Sequence, residues 1–229
     1  YAFGMYPNFQ WLQSWVTAFG GRYFNDDYTE VYMDAPEALK AFDFFINMYL
    51  AGQVPPGAPE FEYGDQIALI AQNQVGYIQG PFAAWGNIIA TNPEMEKNLI
   101  TIPFPGTGQT AGRGTEFAIG AGSKHPKEAW MLIEWLTNTE NQFDFFVHGS
   151  MLPARASALA MINLDEFPYA RTMIEKAVPN IAEPYPAFPD WGKYSLDMDN
   201  MIIASLLGEG TPEENMRAFA EKVRAGISK

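Results

Sequence analysis

Apolar residues recur along this chain mostly at helical spacing, broken by short apolar runs and by clusters of Gly and Pro. Phe9, Leu12, Val16 and Phe19 fall on one face of a helix that Asn8 can cap and Gly20-Gly21 can end. Trp11 and Trp15, at i and i+4, lie on an adjacent face, so at least one of them is expected to look away from that core. Asp34-Ala35-Pro36-Glu37 has the form of a capping box with Pro in the first turn. The helix it opens carries Leu39, Phe42, Phe45, Ile46 and Tyr49 and stops at Gly52. A VPPGAP loop over Val54–Pro59, a helix near Asp65–Gln72 and a short strand, Val75–Ile78, follow. Gly80-Pro81 then turns the strand into a helix bearing Phe82, Trp85, Ile88 and Ile89; Gly permits the sharp turn and Pro suits the first helical position.

Further strands are expected at Leu99–Pro103 and Glu116–Ala121, separated by a Gly/Thr loop from Pro105 to Thr115. Ser123–Pro126 opens a helix with Ala129, Leu132, Ile133 and Leu136 on one side, and Thr139–Gln142 reads as a capping box for the next, running through Val147. Leu159–Val178 is mostly helical, with a break near Pro168. Pro179–Trp191 holds four Pro and three aromatics, so it is expected to be irregular: a rigid crossing segment or the wall of a cleft. Tyr194–Leu207 is again helical, and Thr211–Glu214 caps a last helix whose Met216, Phe219 and Val223 point inward. Helices with short strands between them imply an α/β or α+β class.

Composition narrows the function. The 229 residues allow one large domain or two small ones, and 48% hydrophobic content with 15% aromatic residues implies a packed globule. Fourteen Lys and Arg against 27 Asp and Glu leave a net charge of −13, which disfavours nucleic acid and anionic membrane surfaces as partners. Without Cys there are no disulfides, thiolate metal sites or cysteine nucleophiles. No apolar run approaches the ~18 residues of a membrane span. The chain opens at Tyr1, with neither Met nor the basic and apolar regions of a signal peptide, and is expected to be a piece of a longer protein.

Catalytic chemistry is hard to find. His125 and His148 have no partner at metal-ligand spacing, there is no HExxH or GxSxG, and the Gly/Thr loop lacks the Gly-Lys-Ser/Thr ending of a phosphate cradle. No metal or cofactor is implied. Most carboxylates, such as Glu37, Glu140, Glu213 and Glu214, occupy first turns of helices, where the helix field accounts for them. Asp190, beside Trp191, and Glu116, after the Gly-rich loop, are exceptions. They could accept bonds from sugar hydroxyls, serve as the acid/base pair of a carbohydrate-active enzyme, or be solvated loop residues. Phe82 and Trp85 sit where a helix start offers free N–H donors, and a flat apolar face beside such donors suits a sugar ring. Their i, i+3 spacing equally describes an ordinary core face.

Six stretches in fixed order carry a resemblance. They are FGGRYF (Phe19–Phe24), DAPEALKAFDFFINMYLAG (Asp34–Gly52), IALIAQNQVGYIQGPFAAWGNI (Ile67–Ile88), IPFPG (Ile102–Gly106), SKHPKEAWMLIEWLTNTENQ (Ser123–Gln142) and GSMLPARASAL (Gly149–Leu159). Together the chain resembles the extracellular solute-binding proteins of ABC importers, in the carbohydrate-binding, maltose-binding-protein-like family. That resemblance implies a periplasmic-binding-protein-like α/β fold, helix-rich with a short mixed sheet, in which two lobes close on a sugar or oligosaccharide and a membrane permease recognises the closed form. It implies a binding protein and not an enzyme, outside the cytoplasm, in the periplasm or on the cell surface, where a lipoprotein anchor is one option. The opening segment of the family pattern, which builds most of the first lobe, lies ahead of the matching portion. Residues 1–114 and 152–229 would then form the C-terminal lobe, and 115–151 would belong to the N-terminal lobe.

Carried over by position, the resemblance makes Trp11 (with its neighbours from Phe9), Phe82, Trp85, Arg113, Glu116, Asp190 and Trp191 the candidate ligand contacts. Arg155 falls near the lobe junction, as a bidentate clamp or a ligand contact. The same scaffold could instead take another solute, such as a polyamine, a peptide or an anion.

Overall fold

The computed structural model describes residues 1–112, 114 and 116–227; the candidate Arg113 lies outside the described residues. The helix-rich α/β class expected from the pattern is what is found. In chain order the elements are β1 (Phe3–Gly4), α1 (Phe9–Ala18), α2 (Pro36–Leu50), α3 (Tyr63–Ala71), β2 (Tyr77–Ile78), α4 (Ala83–Thr91), β3 (Thr110–Gly112), α5 (Pro126–Leu136), α6 (Thr139–Gly149), α7 (Ala156–Leu159), β4 (Ile181–Pro184), α8 (Trp191–Leu206) and α9 (Pro212–Ile227). Among the described residues the strands form two parallel pairs, β1 with β2 and β3 with β4, and an antiparallel bridge joins Phe24 to Val31.

α1 is the centre of the molecule. Asn8 caps it as expected, its Oδ1 accepting the Gln10 amide at 2.9 Å. Unlike a one-faced surface helix, however, it is buried from Trp11 through Ala18, Gln13, Ser14 and Thr17 included. α2, α8 and the β3–β4 pair pack around it. Trp11 and Trp15 are both buried, at 8% exposure each: Trp15 joins the core of Leu12 and Val16, while Trp11 turns off that face, as expected of one of the two, and is covered by Tyr6, Tyr63 and Gln79. The largest core cluster joins α1 to α2, α8 and α9 through Leu12, Val16, Phe42, Phe45, Met198, Ile202, Met216 and Val223. A second forms between α3, β2 and α4, and a third gathers Phe82, Phe146, Ile162 and Ala170.

Several local expectations change once long-range partners are present. α2 starts at Pro36 after Ala35 with no side-chain cap, because Asp34 turns away to pair with Arg224 of α9, bonding its Nη1 at 3.0 Å. Glu62 and Asp65 supply a reciprocal capping box for α3 instead. α6 is capped by Asn138, whose Oδ1 accepts the Asn141 amide, one residue ahead of the expected Thr139. Leu99–Pro103 and Glu116–Ala121 are not strands, since an extended segment needs a neighbour for its ladder and neither has one among the described residues. The proline-dense stretch does contain regular structure: Ile181–Pro184 pairs with β3, its one proline closing the strand where no donor is required. Leu159–Val178 is more broken than a single interrupted helix, ending in a turn of π-helix over Met173–Ala177. α5 is present, but no residue of it is buried, and Trp130 and Trp135 are 53% and 59% exposed.

The last helix follows its reading closely. Thr211 and Glu214 exchange bonds as a capping box, and Met216, Phe219 and Val223 are buried. Near its end, a Cβ added at Gly226 would overlap the Tyr194 hydroxyl and lie 2.8 Å from Tyr194 Cζ. Tyr194 is itself buried in the main core and has little room to retreat. Gly226→Ala is therefore expected to lower stability by about 1–3 kcal/mol despite the better helix propensity of Ala, a loss readable in the urea midpoint.

Candidate functional site

Parallel strands end on the same side, and their carboxyl ends meet at the start of α1. β1 runs through Met5–Asn8 directly into α1. β2 is followed by Gln79, whose backbone carbonyl accepts the Trp11 indole N–H at 3.0 Å while its side-chain amide donates to the Trp11 carbonyl at 3.0 Å. β4 is followed by Tyr185, whose amide donates to the Gly112 carbonyl at the end of β3. The Tyr185 ring stands 6.3 Å from Phe9, and Phe9 in turn meets Trp191 at 5.4 Å, edge to face. The carboxyl edge of short parallel strands is where open α/β folds leave a crevice for ligands.

Aromatic side chains line this edge. Tyr6 lies edge-on to Trp11 at 5.0 Å, and Tyr63 approaches the other way at 6.0 Å. Beyond the β2–α4 turn, Trp85 stacks on Tyr169 at 4.9 Å with 10° between planes. Phe82 lies parallel to both Tyr169 (5.7 Å) and Phe146 (5.8 Å). Tyr6, Phe9, Trp85, Tyr169 and Tyr185 are only partly buried.

The candidates from the sequence thus divide. Trp11, Phe82 and Trp191 are buried, at 8%, 9% and 7% exposure, and their rings are engaged by protein neighbours. Trp85 is half-buried at the outer end of the aromatic column. Asp190 immediately precedes α8 without capping it by its side chain, and Glu116 is exposed on the chain after β3. Arg155 is used structurally, its Nε donating to the Thr137 carbonyl at 2.7 Å and its amide to Gln142. Tyr6, Gln79, Tyr169 and Tyr185 were not legible as site residues, since only the strand ends bring them together. Two shallow surface depressions, one by Thr29–Tyr32 and Arg224 and one between α8 and α9, contain none of these residues.

Two carboxylates, the buried Glu183 and the half-buried Asp199, support this edge from behind. Glu183 of β4 accepts the backbone amides of Tyr23 (2.9 and 3.1 Å) and Phe24 (3.1 Å) and the side-chain amide of Gln13 (2.9 Å). Burial raises its pKa even so, against the lowering by those bonds. Asp199 of α8 reaches the first turn of α1, and burial pushes it up to about 6. Burial and the Asp199 charge together raise the Tyr6 phenol. Among the described residues, no group of three His, Asp or Glu side chains could hold a metal ion, and no helix is long and apolar enough to cross a membrane.

Residues 1–143 match the family of bacterial extracellular solute-binding proteins. The chain belongs to that family. Solved structures of solute-binding proteins share its fold. One is an ABC transporter solute-binding protein from Thermotoga lettingae bound with α-D-tagatose, 24% identical with a TM-score of 0.85, the match covering 99% of this chain and 59% of that one. Another is the sugar-binding protein MalE of Xanthomonas citri, 21% identical at a TM-score of 0.78, covering 100% and 58%. A third is the maltose-bound MalE3 of T. maritima, 19% identical at 0.80, covering 98% and 59%. This solute-binding protein chain therefore spans about 59% of the length of the first of these structures. No curated protein matches it.

Proposed function

We propose that the protein is the substrate-binding component of an ABC importer, holding a sugar or oligosaccharide at the carboxyl edge of its strands and delivering it to membrane permease subunits. The observation that carries this reading is the run of partly buried aromatic residues along this side, Tyr6, Phe9 and Tyr185 around the start of α1 and Trp85 on Tyr169 beyond the β2–α4 turn, a composition suited to the flat apolar faces of pyranose or furanose rings. Solved relatives with tagatose and maltose bound support the ligand class. The role is binding and not catalysis. In support, Asp190 and Glu116, the carboxylates an enzyme reading would pair, are exposed loop residues without a side-chain hydrogen bond among the described residues. Work of this kind places the protein outside the cytoplasm, in the periplasm or at the cell surface.

The division into lobes belongs to the same reading. Residues 1–114 and 152–229 supply one lobe, and 115–151 the portion that joins the other. The wholly unburied α5, with Trp130 and Trp135 on its surface, supports that assignment, because an apolar helix of this kind is ordinarily covered. Closure would then follow from a ligand touching both lobes at once.

The test is titration of the full-length protein with a panel of mono- and oligosaccharides that includes maltose and tagatose, followed by tryptophan fluorescence. Saturable binding is expected, and Trp85→Ala should weaken it by about 10- to 100-fold, the loss of one central aromatic contact. A folded protein silent across the whole panel would move the assignment to a non-sugar solute.

A further inference from the structure

Asp199 lies two turns beyond Trp191 on α8 and is tied to the start of α1, 190 residues away in sequence. Its Oδ1 accepts the Phe9 backbone N–H at 2.7 Å, and its Oδ2 accepts Asn8 Nδ2 at 3.2 Å. Asn8 passes the restraint on, its own Oδ1 capping the helix through the Gln10 amide. One carboxylate therefore holds the cap residue and the first amide of the helix that Tyr6, Gln79, Tyr185 and Trp191 meet. What depends on that first turn is the pose of Tyr6 before it, Phe9 against Trp191 and Tyr185, and Trp11 against Gln79.

We infer that Asp199 is a positioning residue for the sugar site: by clamping the first turn of α1 to α8 it sets the aromatic edge, so that sugar affinity follows its ionisation without its touching the sugar. The inference rests on the sugar-binding reading above. An ionised acceptor holds an N–H about twice as strongly as a neutral one, so the clamp is firm when the carboxylate is charged and loosens when it is protonated. Burial brings that change to about pH 6, within the range a surface protein meets. The titratable groups that feel Asp199 are Tyr6, from the β1–α1 connection, and Tyr23, from the loop after α1. Glu62 acts on the first and Glu183 on the second. On the α9 side, Lys222 is paired with Asp197 at 2.8 Å.

The experiment measures maltose and tagatose affinity of the full-length protein from pH 5 to 7.5, for wild type and Asp199→Asn, with the Phe9 amide followed by NMR over the same range. Wild type is expected to bind about fivefold more weakly at pH 5 than at pH 7.5, the difference of roughly one hydrogen bond's net worth. Asp199→Asn, of the same shape but uncharged, should bind at the weaker level throughout, and its Phe9 amide should lose the wild-type inflection near pH 6. Saturable binding that is flat with pH, or a pH dependence that persists in Asp199→Asn, overturns the positioning role and leaves the sugar reading standing. No sugar binding by a wild type whose Phe9 amide still titrates overturns the sugar reading and leaves the clamp as a structural tie.

Discussion

Glu183→Ala is expected to destabilise the protein by about 3–4 kcal/mol, because it strands the buried Tyr23 and Phe24 amides, each unmet donor costing roughly 1–3 kcal/mol, and leaves the Gln13 side-chain amide with only the Pro184 carbonyl at 3.1 Å. The Tyr23 and Phe24 amides and the Gln13 side chain all end on this one carboxylate, within 2.9–3.1 Å. None has room to find water, since Gln13, Tyr23 and Phe24 are fully buried. Urea denaturation at pH 7 measures the loss, and a change under 1 kcal/mol would show that the pocket rewets or rearranges. Glu183→Gln keeps one accepting oxygen but turns an NH2 toward donors, so its loss should be intermediate. The pH dependence has a definite sign. Burial raises the folded pKa above 4.5, so between those values the folded protein holds the extra proton. The stability drawn from Glu183 accordingly rises as pH falls through that window, and the wild type's margin over Glu183→Gln should widen on mild acidification.

Glu183 also shows which parts of this molecule the sequence could disclose. Helices whose cause is local were legible: Asn8 caps α1, Thr211 and Glu214 cap α9, and the apolar faces of α2 and α9 pack as their spacing implies. The readings that changed are those in which a distant residue outcompetes a local one. Asp34 had the spacing of a cap, yet an arginine 190 residues later takes its carboxylate. Pro179–Trp191 had the composition of a loop, but β3 lies alongside and its free edge recruits Ile181–Pro184. Of the candidate site, the β2–α4 turn with Phe82 and Trp85 was visible as a turn because Gly80-Pro81 marks it. Tyr169 and Asp199 were not, because nothing near Tyr169 or Asp199 in sequence indicates that one stacks on Trp85 and the other holds Phe9.

Trp191→Ala is expected to cost about 3–5 kcal/mol, as befits truncation of a buried indole whose cavity cannot collapse. The ring is enclosed edge-on by Phe9 at 5.4 Å and Phe24 at 5.7 Å and at a tilt by Phe188 at 5.7 Å, in the cluster that joins α8 to α1. Trp191→Phe should fall within about 1 kcal/mol of wild type. It keeps most of the ring, and it removes an indole N–H that is buried with no acceptor among the described residues, so no hydrogen bond is given up. Comparing urea midpoints of the two variants in the absence of sugar checks this directly. The contrast with Trp85 matters for function. Trp85 is half-buried, so Trp85→Ala should weaken sugar binding while the fold survives, whereas Trp191→Ala should weaken binding only by loosening the start of α1. A Trp191→Ala protein as stable as wild type but unable to bind sugar would put the Trp191 ring in direct contact with the ligand and shift the site from the β2–α4 turn toward α8.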